Sequence, residues 1–137
     1  MIELNENVTR EMNKYLDGIT IEEVFLLLKE SKKTFHYQVF LTSEQMKQDV
    51  EVLDLSVRAY HCLKRAGYDT MERLINGIYT KDGETSKRQL RKIRNLGISS
   101  ADEILIKLMN YQFMSLPDSK KKAYMDKILE INFVKAD

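Results

Sequence analysis

Apolar positions along the chain recur mostly at three- and four-residue spacing, and residues with helix-start character stand just before them. Val8, Met12 and Tyr15 predict a first short helix that ends near Gly18. Thr20-Ile21-Glu22-Glu23 has the form of a capping box, in which the side chains of Thr20 and Glu23 satisfy each other's backbone N–H groups. Ile21, Val24, Phe25 and Leu28 follow at i, i+3, i+4 and i+7, which predicts a helix over about residues 20–31. Residues 34–41 break this rhythm. Phe35, Tyr37, Val39 and Leu41 alternate as a half-buried strand would. A lone strand has no partner, so a helix or an extended connector is expected there. Thr42-Ser43-Glu44-Gln45 offers another helix start, with a helix expected to about residue 50.

From Asp54 onward the signals sharpen. Ser56 reads as an N-cap, Val57, Tyr60 and Leu63 share one face, and Gly67 sits where a helix-ending glycine belongs. Thr70 opens the next helix, with Met71, Leu74, Ile75 and Ile78 inward, and residues 79–85 read as a polar loop turning at Asp82-Gly83. Ser86–Gln89 forms a second box ahead of Leu90 and Ile93. After Asn95-Leu96-Gly97, Ser100–Glu103 forms a third, leading a helix through Ile104, Leu105 and Leu108. Ser115–Asp118, with Pro117 in the first turn, opens a terminal helix whose Tyr124, Ile128 and Ile131 face inward. The expectation is an all-α, compact helical domain. It divides into an N-terminal helical region of residues 1–50, a central module of 51–114 and a C-terminal helix of 115–137.

Composition narrows the class. A chain of 137 residues is about one domain and can bury an ordinary core without disulfides or metals. With 43% hydrophobic residues, one proline and five glycines, it is neither collagenous nor disordered. The longest apolar run, Val24 to Leu28, is far below the ~20 residues that cross a bilayer. No secretion signal opens the sequence, so a soluble, cytoplasmic protein with no membrane partner is expected. The single cysteine, Cys62, reads as a buried inert thiol. His36 has no second ligand at metal spacing, and Glu22 and Glu23 are neighbours that point apart on a helix. No phosphate loop, nucleophile motif or zinc motif is present. Neither an enzyme nor a cofactor is expected.

The overall net charge of +1 hides a division. Residues 1–50 carry 6 basic and 9 acidic side chains, whereas residues 51–114 carry 11 basic and 8 acidic. Lys87, Arg88, Arg91, Lys92 and Arg94 lie together with no acid between them. Such a run is either a solvated helix face or a phosphate-facing patch. Beside it, Ile93-Arg94-Asn95-Leu96-Gly97-Ile98-Ser99-Ser100-Ala101 ends one helix and begins another within a few residues. This has the form of a helix-hairpin-helix, in which Gly97 is expected to take a positive φ so that backbone N–H groups can approach a phosphate. The same string also serves as a packing turn in many helix pairs.

The stretch from Val52 to Gly67, with Leu53-Asp54-Leu55-Ser56-Val57-Arg58 at its head, closely resembles the C-terminal domain of the bacterial RNA polymerase α subunit. Leu90 to Leu108, centred on Arg94-Asn95-Leu96-Gly97, is similar to the same family in the same order. Together they cover about residues 51–112. The resemblance implies a helical fold of the helix-hairpin-helix type that binds double-stranded DNA in the minor groove and prefers A/T-rich tracts. It places a groove-entering arginine at Arg58, a neighbouring contact at His61, and the hairpin at Arg94, Asn95, Gly97 and Ser99. Ser100 falls on the family's phosphate-binding serine and Glu103 on an acidic residue of the next helix's first turn. A narrow A-tract groove concentrates negative potential, which suits a guanidinium.

Two departures weaken the expected grip. The family usually has asparagine at the position of His61 and lysine at that of Ser99. Losing one phosphate contact lowers the salt slope by roughly 0.9. The connection from Tyr79 to Thr85 is also longer than in the family. The large assembly domain that precedes this module in a polymerase α subunit is absent, so a stand-alone transcription-regulating DNA-binding protein is expected. The competing expectation is a protein–protein interaction module that keeps the fold without binding DNA. Either reading allows RNA polymerase, a sigma factor or a transcription regulator as partner.

Overall fold

A computed structural model of the protein describes residues 6–31, 35–79 and 87–133. The described residues form eight helices: α1 (Glu6–Asn13), α2 (Ile21–Glu30), α3 (Ser43–Met46), α4 (Val57–Arg65), α5 (Met71–Ile78), α6 (Lys87–Arg91), α7 (Ile98–Ser115) and α8 (Asp118–Phe133). A 3-10 turn, Val50–Leu53, precedes α4. No strand occurs among the described residues; Asp49 and Thr70 form an isolated antiparallel bridge. The all-α class follows.

α7 is the axis of the fold. Its residues Ser100 to Ile106 are all buried, and α1, α2, α4, α6 and the 3-10 turn pack around it. Met12, Val24, Leu28, Leu63, Leu74, Leu90, Ile104, Phe113 and Ile128 belong to one continuous core, so all three segments of the sequence take part in it. Each such residue adds about 1.5–3 kcal/mol by leaving water.

Local start signals held where both partners belong to one turn. The Thr20–Glu23 and Thr42–Gln45 boxes form, and the Ser56 hydroxyl accepts from the Ala59 N–H. Gly67 ends α4 with φ 89°, as a glycine in that role should. α3, however, stops at Met46 rather than near residue 50. Asp49 caps the 3-10 turn instead, and the Asp49–Thr70 bridge claims the backbone, with Val50 N–H donating to Asp69 and Met71 N–H to Gln48.

Three other expectations need correction. The Ser100–Glu103 box does not form, because α7 starts at Ile98 with Gly97 as N-cap and the Glu103 carboxylate is used elsewhere. Ser115 closes α7 rather than opening the terminal helix, its hydroxyl donating to Tyr111 O, and α8 starts at Asp118. On α8, Tyr124 and Ile128 turn inward as expected, but Ile131 is exposed. The inward face continues at four-residue spacing to Asn132, whose side chain reaches the backbone of His36. The Ser86–Gln89 box and the Asp82-Gly83 turn lie outside the described residues.

Residues 35–41 are an extended connector whose alternation has a physical cause. Phe35 and Tyr37 are buried, and Val39 and Leu41 are half-buried. In place of a partner strand, helix side chains serve its backbone. Asn132 both accepts from and donates to His36, Gln112 accepts from Phe40 N–H at 2.7 Å, and the Tyr124 hydroxyl donates to Gln38 O at 2.9 Å. Tyr37 in turn donates its hydroxyl to Leu105 O on α7.

Candidate nucleic-acid interface

The α4 helix begins at a junction of three elements. Ser56 donates both its backbone N–H and its hydroxyl to the two Glu103 oxygens, which fastens the α4 N-terminus to α7. Lys107 lies 3.7 Å from Glu103 and donates to Asp54 O, where the backbone is left-handed at φ 58°. Ala59, Cys62 and Leu63 then face the core. The same periodicity exposes Arg58, His61 and Arg65 on the opposite side, at i, i+3 and i+7. Arg65 was not singled out from the sequence, although its spacing from Arg58 and His61 was there to read.

Lys64 looks like a further cation but is committed. Its ammonium pairs with Asp49 at 2.6 Å and sits 5.2 Å from the Tyr60 ring centre. The hydrogen bond to Asp49 pushes the Lys64 pKa up to about 12, and the same bond holds the Asp49 carboxyl below its ordinary value.

The second part of the face is the turn between α6 and α7. Ile93 and Leu96 are buried and anchor it, while Arg94, Asn95, Gly97, Ile98 and Ser99 are exposed. The left-handed residue is Asn95, at φ 68°. Gly97 corrects the expectation drawn from the sequence: it has φ −80° and ψ 175°, an extended backbone open to any residue. Asparagine tolerates the left-handed region, which lets it make the turn and leaves the glycine for α7's N-cap. α7 has no side-chain cap there, and a Cβ on Gly97 would meet nothing within 4 Å. The first N–H groups of an 18-residue helix therefore open onto unobstructed surface. The Cys62 thiol donates to Asn95 O at 3.6 Å, which sets the turn against the part of α4 that carries His61 and Arg65.

Ser100 and Glu103 lie inside the fold. Ser100 is 9% exposed and Glu103 7%, with both carboxylate oxygens engaged by Ser56. The remaining six expected site residues, Arg58, His61, Arg94, Asn95, Gly97 and Ser99, are all exposed.

The basic run divides in the same way. Lys87 is buried and donates to Lys29 O and Ser31 O at 2.9 and 2.7 Å, and it pairs with Asp102 at 2.8 Å. It is a structural cation. Arg91, Lys92 and Arg94 are exposed, and like Arg58 they have no ion-pair partner among the described residues. By contrast, Lys64, Arg73, Lys87 and Lys107 are paired with Asp49, Asp69, Asp102 and Glu103. Among the described residues of 51–110, positive charge without an ion-pair partner therefore gathers on α4's outer stripe and around the α6–α7 turn.

Two helices joined through a left-handed asparagine, on an all-helical body, define a helix-hairpin-helix module. The family model for the C-terminal domain of the bacterial RNA polymerase alpha subunit matches residues 40–110, just over half of the sequence. The protein belongs to that family. It is 44% identical over 105 residues to a DNA-directed RNA polymerase subunit alpha of Oceanobacillus iheyensis, a match that takes in 74% of its own length. It is 35% identical over 96 residues, 66% of its length, to the corresponding subunit of Desulforudis audaxviator. It spans only 28% of the length of each of these relatives. No solved structure matches it. Among the described residues, no helix is long and apolar enough to cross a membrane.

Proposed function

We propose that the protein binds double-stranded DNA through the α4 stripe and the α6–α7 turn, as a transcription-regulating module. The observation that carries this reading is the sorting of charge: among the described residues Arg58, Arg91, Lys92 and Arg94 lack acidic partners, while Lys64, Arg73, Lys87 and Lys107 have them. In this reading Arg58 enters the minor groove of an A/T-rich tract, where a guanidinium meets concentrated negative potential. The open α7 N-terminus at Gly97, Ile98 and Ser99 receives a phosphate from its backbone N–H groups. Arg94 and Lys92 add longer-range attraction. Ser100 and Glu103 act from inside, Glu103 by holding α4 in register with α7. The same reading makes RNA polymerase, a sigma factor or a regulator a second partner.

Fluorescence anisotropy on an A-tract duplex and a G·C-rich duplex, at low and moderate salt, tests the proposal. Tighter, salt-sensitive binding to the A-tract is the expected result. Arg58→Ala should weaken it by about tenfold or more, whereas Arg73→Ala, which removes a cation already paired with Asp69, should change it by less than about twofold. Equal binding by Arg58→Ala and the unaltered protein would remove the assignment.

A second reading rests on Val57 and Ile98, two large apolar side chains that stand 73% and 54% exposed at the starts of α4 and α7. They favour docking of a protein from the transcription machinery on this face. Absence of duplex binding at low salt, with recovery of polymerase from nuclease-treated lysate, would select it.

A further inference from the structure

His61 stands in the middle of the stripe, three residues after Arg58 and four before Arg65, so the three side chains lie on one exposed helix face. Its ring meets Tyr60 edge-on at 5.6 Å, and among the described residues it has neither an ion pair nor a hydrogen bond. Among the described residues no acid pairs with it. On α4 the neighbouring charges are Arg58, Arg65 and Lys64, the last held by Asp49 from the turn before the helix. From the α6–α7 turn comes Arg94. From α7, Glu103 is engaged by Ser56 and Lys107, and Asp102 by Lys87.

We propose that His61 is a proton-gated phosphate contact: it binds the duplex backbone as an imidazolium, so that the protein's hold on DNA tightens as the solution becomes acidic. This rests on the DNA-binding reading of the same face. Histidine is the side chain whose charge changes between about pH 5 and 8, and phosphodiesters keep theirs throughout. Duplex phosphates brought against the ring favour the imidazolium. Binding then takes up a proton from solvent, and affinity must rise as pH falls. The assignment is tractable because the sequence has only two histidines. The other, His36, lies on the extended connector, with its backbone held by Asn132 of α8.

Anisotropy titrations of an A-tract duplex with the full-length protein, His61→Gln and His61→Asn, between about pH 5.5 and 8, test the inference. The unaltered protein should bind about tenfold tighter at the acidic end, the change expected when DNA raises the imidazole pKa by about one unit. Its salt slope should steepen there by roughly 0.9, the mark of one more neutralised phosphate. Both variants should vary by less than about threefold, through the general rise in positive charge alone. An NMR titration of the His61 imidazole should show its pKa rising when duplex is added. Binding by the unaltered protein with no pH dependence, or full dependence retained in His61→Gln, would overturn the inference and leave the DNA reading standing. No binding at any pH would sink the DNA reading first, and this inference with it.

Discussion

A methyl group at Gly97 would touch nothing of the protein, and the backbone there is extended rather than left-handed. The fold alone thus gives little reason for glycine at this position. A ligand approaching α7's first N–H groups gives a better one, since a Cβ would stand in its path. Gly97→Ala should cost less than about 1 kcal/mol of stability, the difference between glycine and alanine at an N-cap. Its duplex affinity should nevertheless fall by about tenfold, comparable to the loss of a direct contact. Thermal melting and anisotropy on one preparation separate the two effects, and equal affinity would mean that phosphate does not approach there. Asn95 should behave in the opposite way. Asn95→Gly should fold as well as the parent protein, while Asn95→Val should lose at least about 1–2 kcal/mol, because a branched side chain resists the left-handed region. The sequence string made the turn legible but not which of its residues bends. Asn95 and Gly97 both tolerate positive φ, and the choice depends on where Ile93 and Leu96 anchor in the core.

Elements whose start and end signals lie within one turn could be read directly, as α2 and α4 show. Elements positioned by distant partners could not. Glu103 matched a capping box three residues from Ser100, yet its oxygens serve Ser56, 47 residues away in sequence. The connector at 35–41 alternates like a strand because one side faces the core, while its backbone is served by Gln112, Tyr124 and Asn132. No local pattern announces such an arrangement. Lys87 is the sharpest case, since its run of basic neighbours pointed to solvent. Instead it joins the C-terminal end of α2 to α6 and α7, through two carbonyls and Asp102. Lys87→Met should therefore destabilise the protein by about 3–5 kcal/mol, because it leaves Asp102 buried without its cation. The double substitution Lys87→Met with Asp102→Leu should recover part of that loss. Urea unfolding of the parent protein, Lys87→Met, Asp102→Leu and the double variant checks both, and additive losses would show that the pair does not act as a unit.

At the scale of the whole molecule, ion pairs and core divide the work differently. Asp49 and Asp69 are held below their ordinary pKa chiefly by hydrogen bonds from Lys64 and Arg73. A lowered carboxylate pKa stabilises the fold above the unfolded value of about 3.9 and is lost as pH falls through the folded one. Lys64, raised to about 12, supports the fold below its unfolded value of about 10.4 and ceases to do so as pH climbs through the folded one. These groups predict a urea midpoint that is flat around neutrality and falls in acid below about pH 4, less steeply in Asp49→Asn. The core sets the larger constraint. Met12, Leu16, Ile21, Val24, Phe25 and Leu28 come from the first 31 residues and lie in the same cluster as α7, with the Tyr15 ring edge-on to Phe113 at 5.9 Å. Burial at about 1.5–3 kcal/mol for each such residue is of the same order as a domain's whole stability of about 5–15 kcal/mol. Removing residues 1–31 would also take from Lys87 both of its carbonyl acceptors. The shortened protein should therefore lose cooperative unfolding and near-UV circular dichroism, even though residues 40–110 that match the family remain intact. A sharp unfolding transition in that fragment would instead mean that α1 and α2 are appended to a module able to close its own core. The face proposed to bind DNA would then be separable from the N-terminal helices.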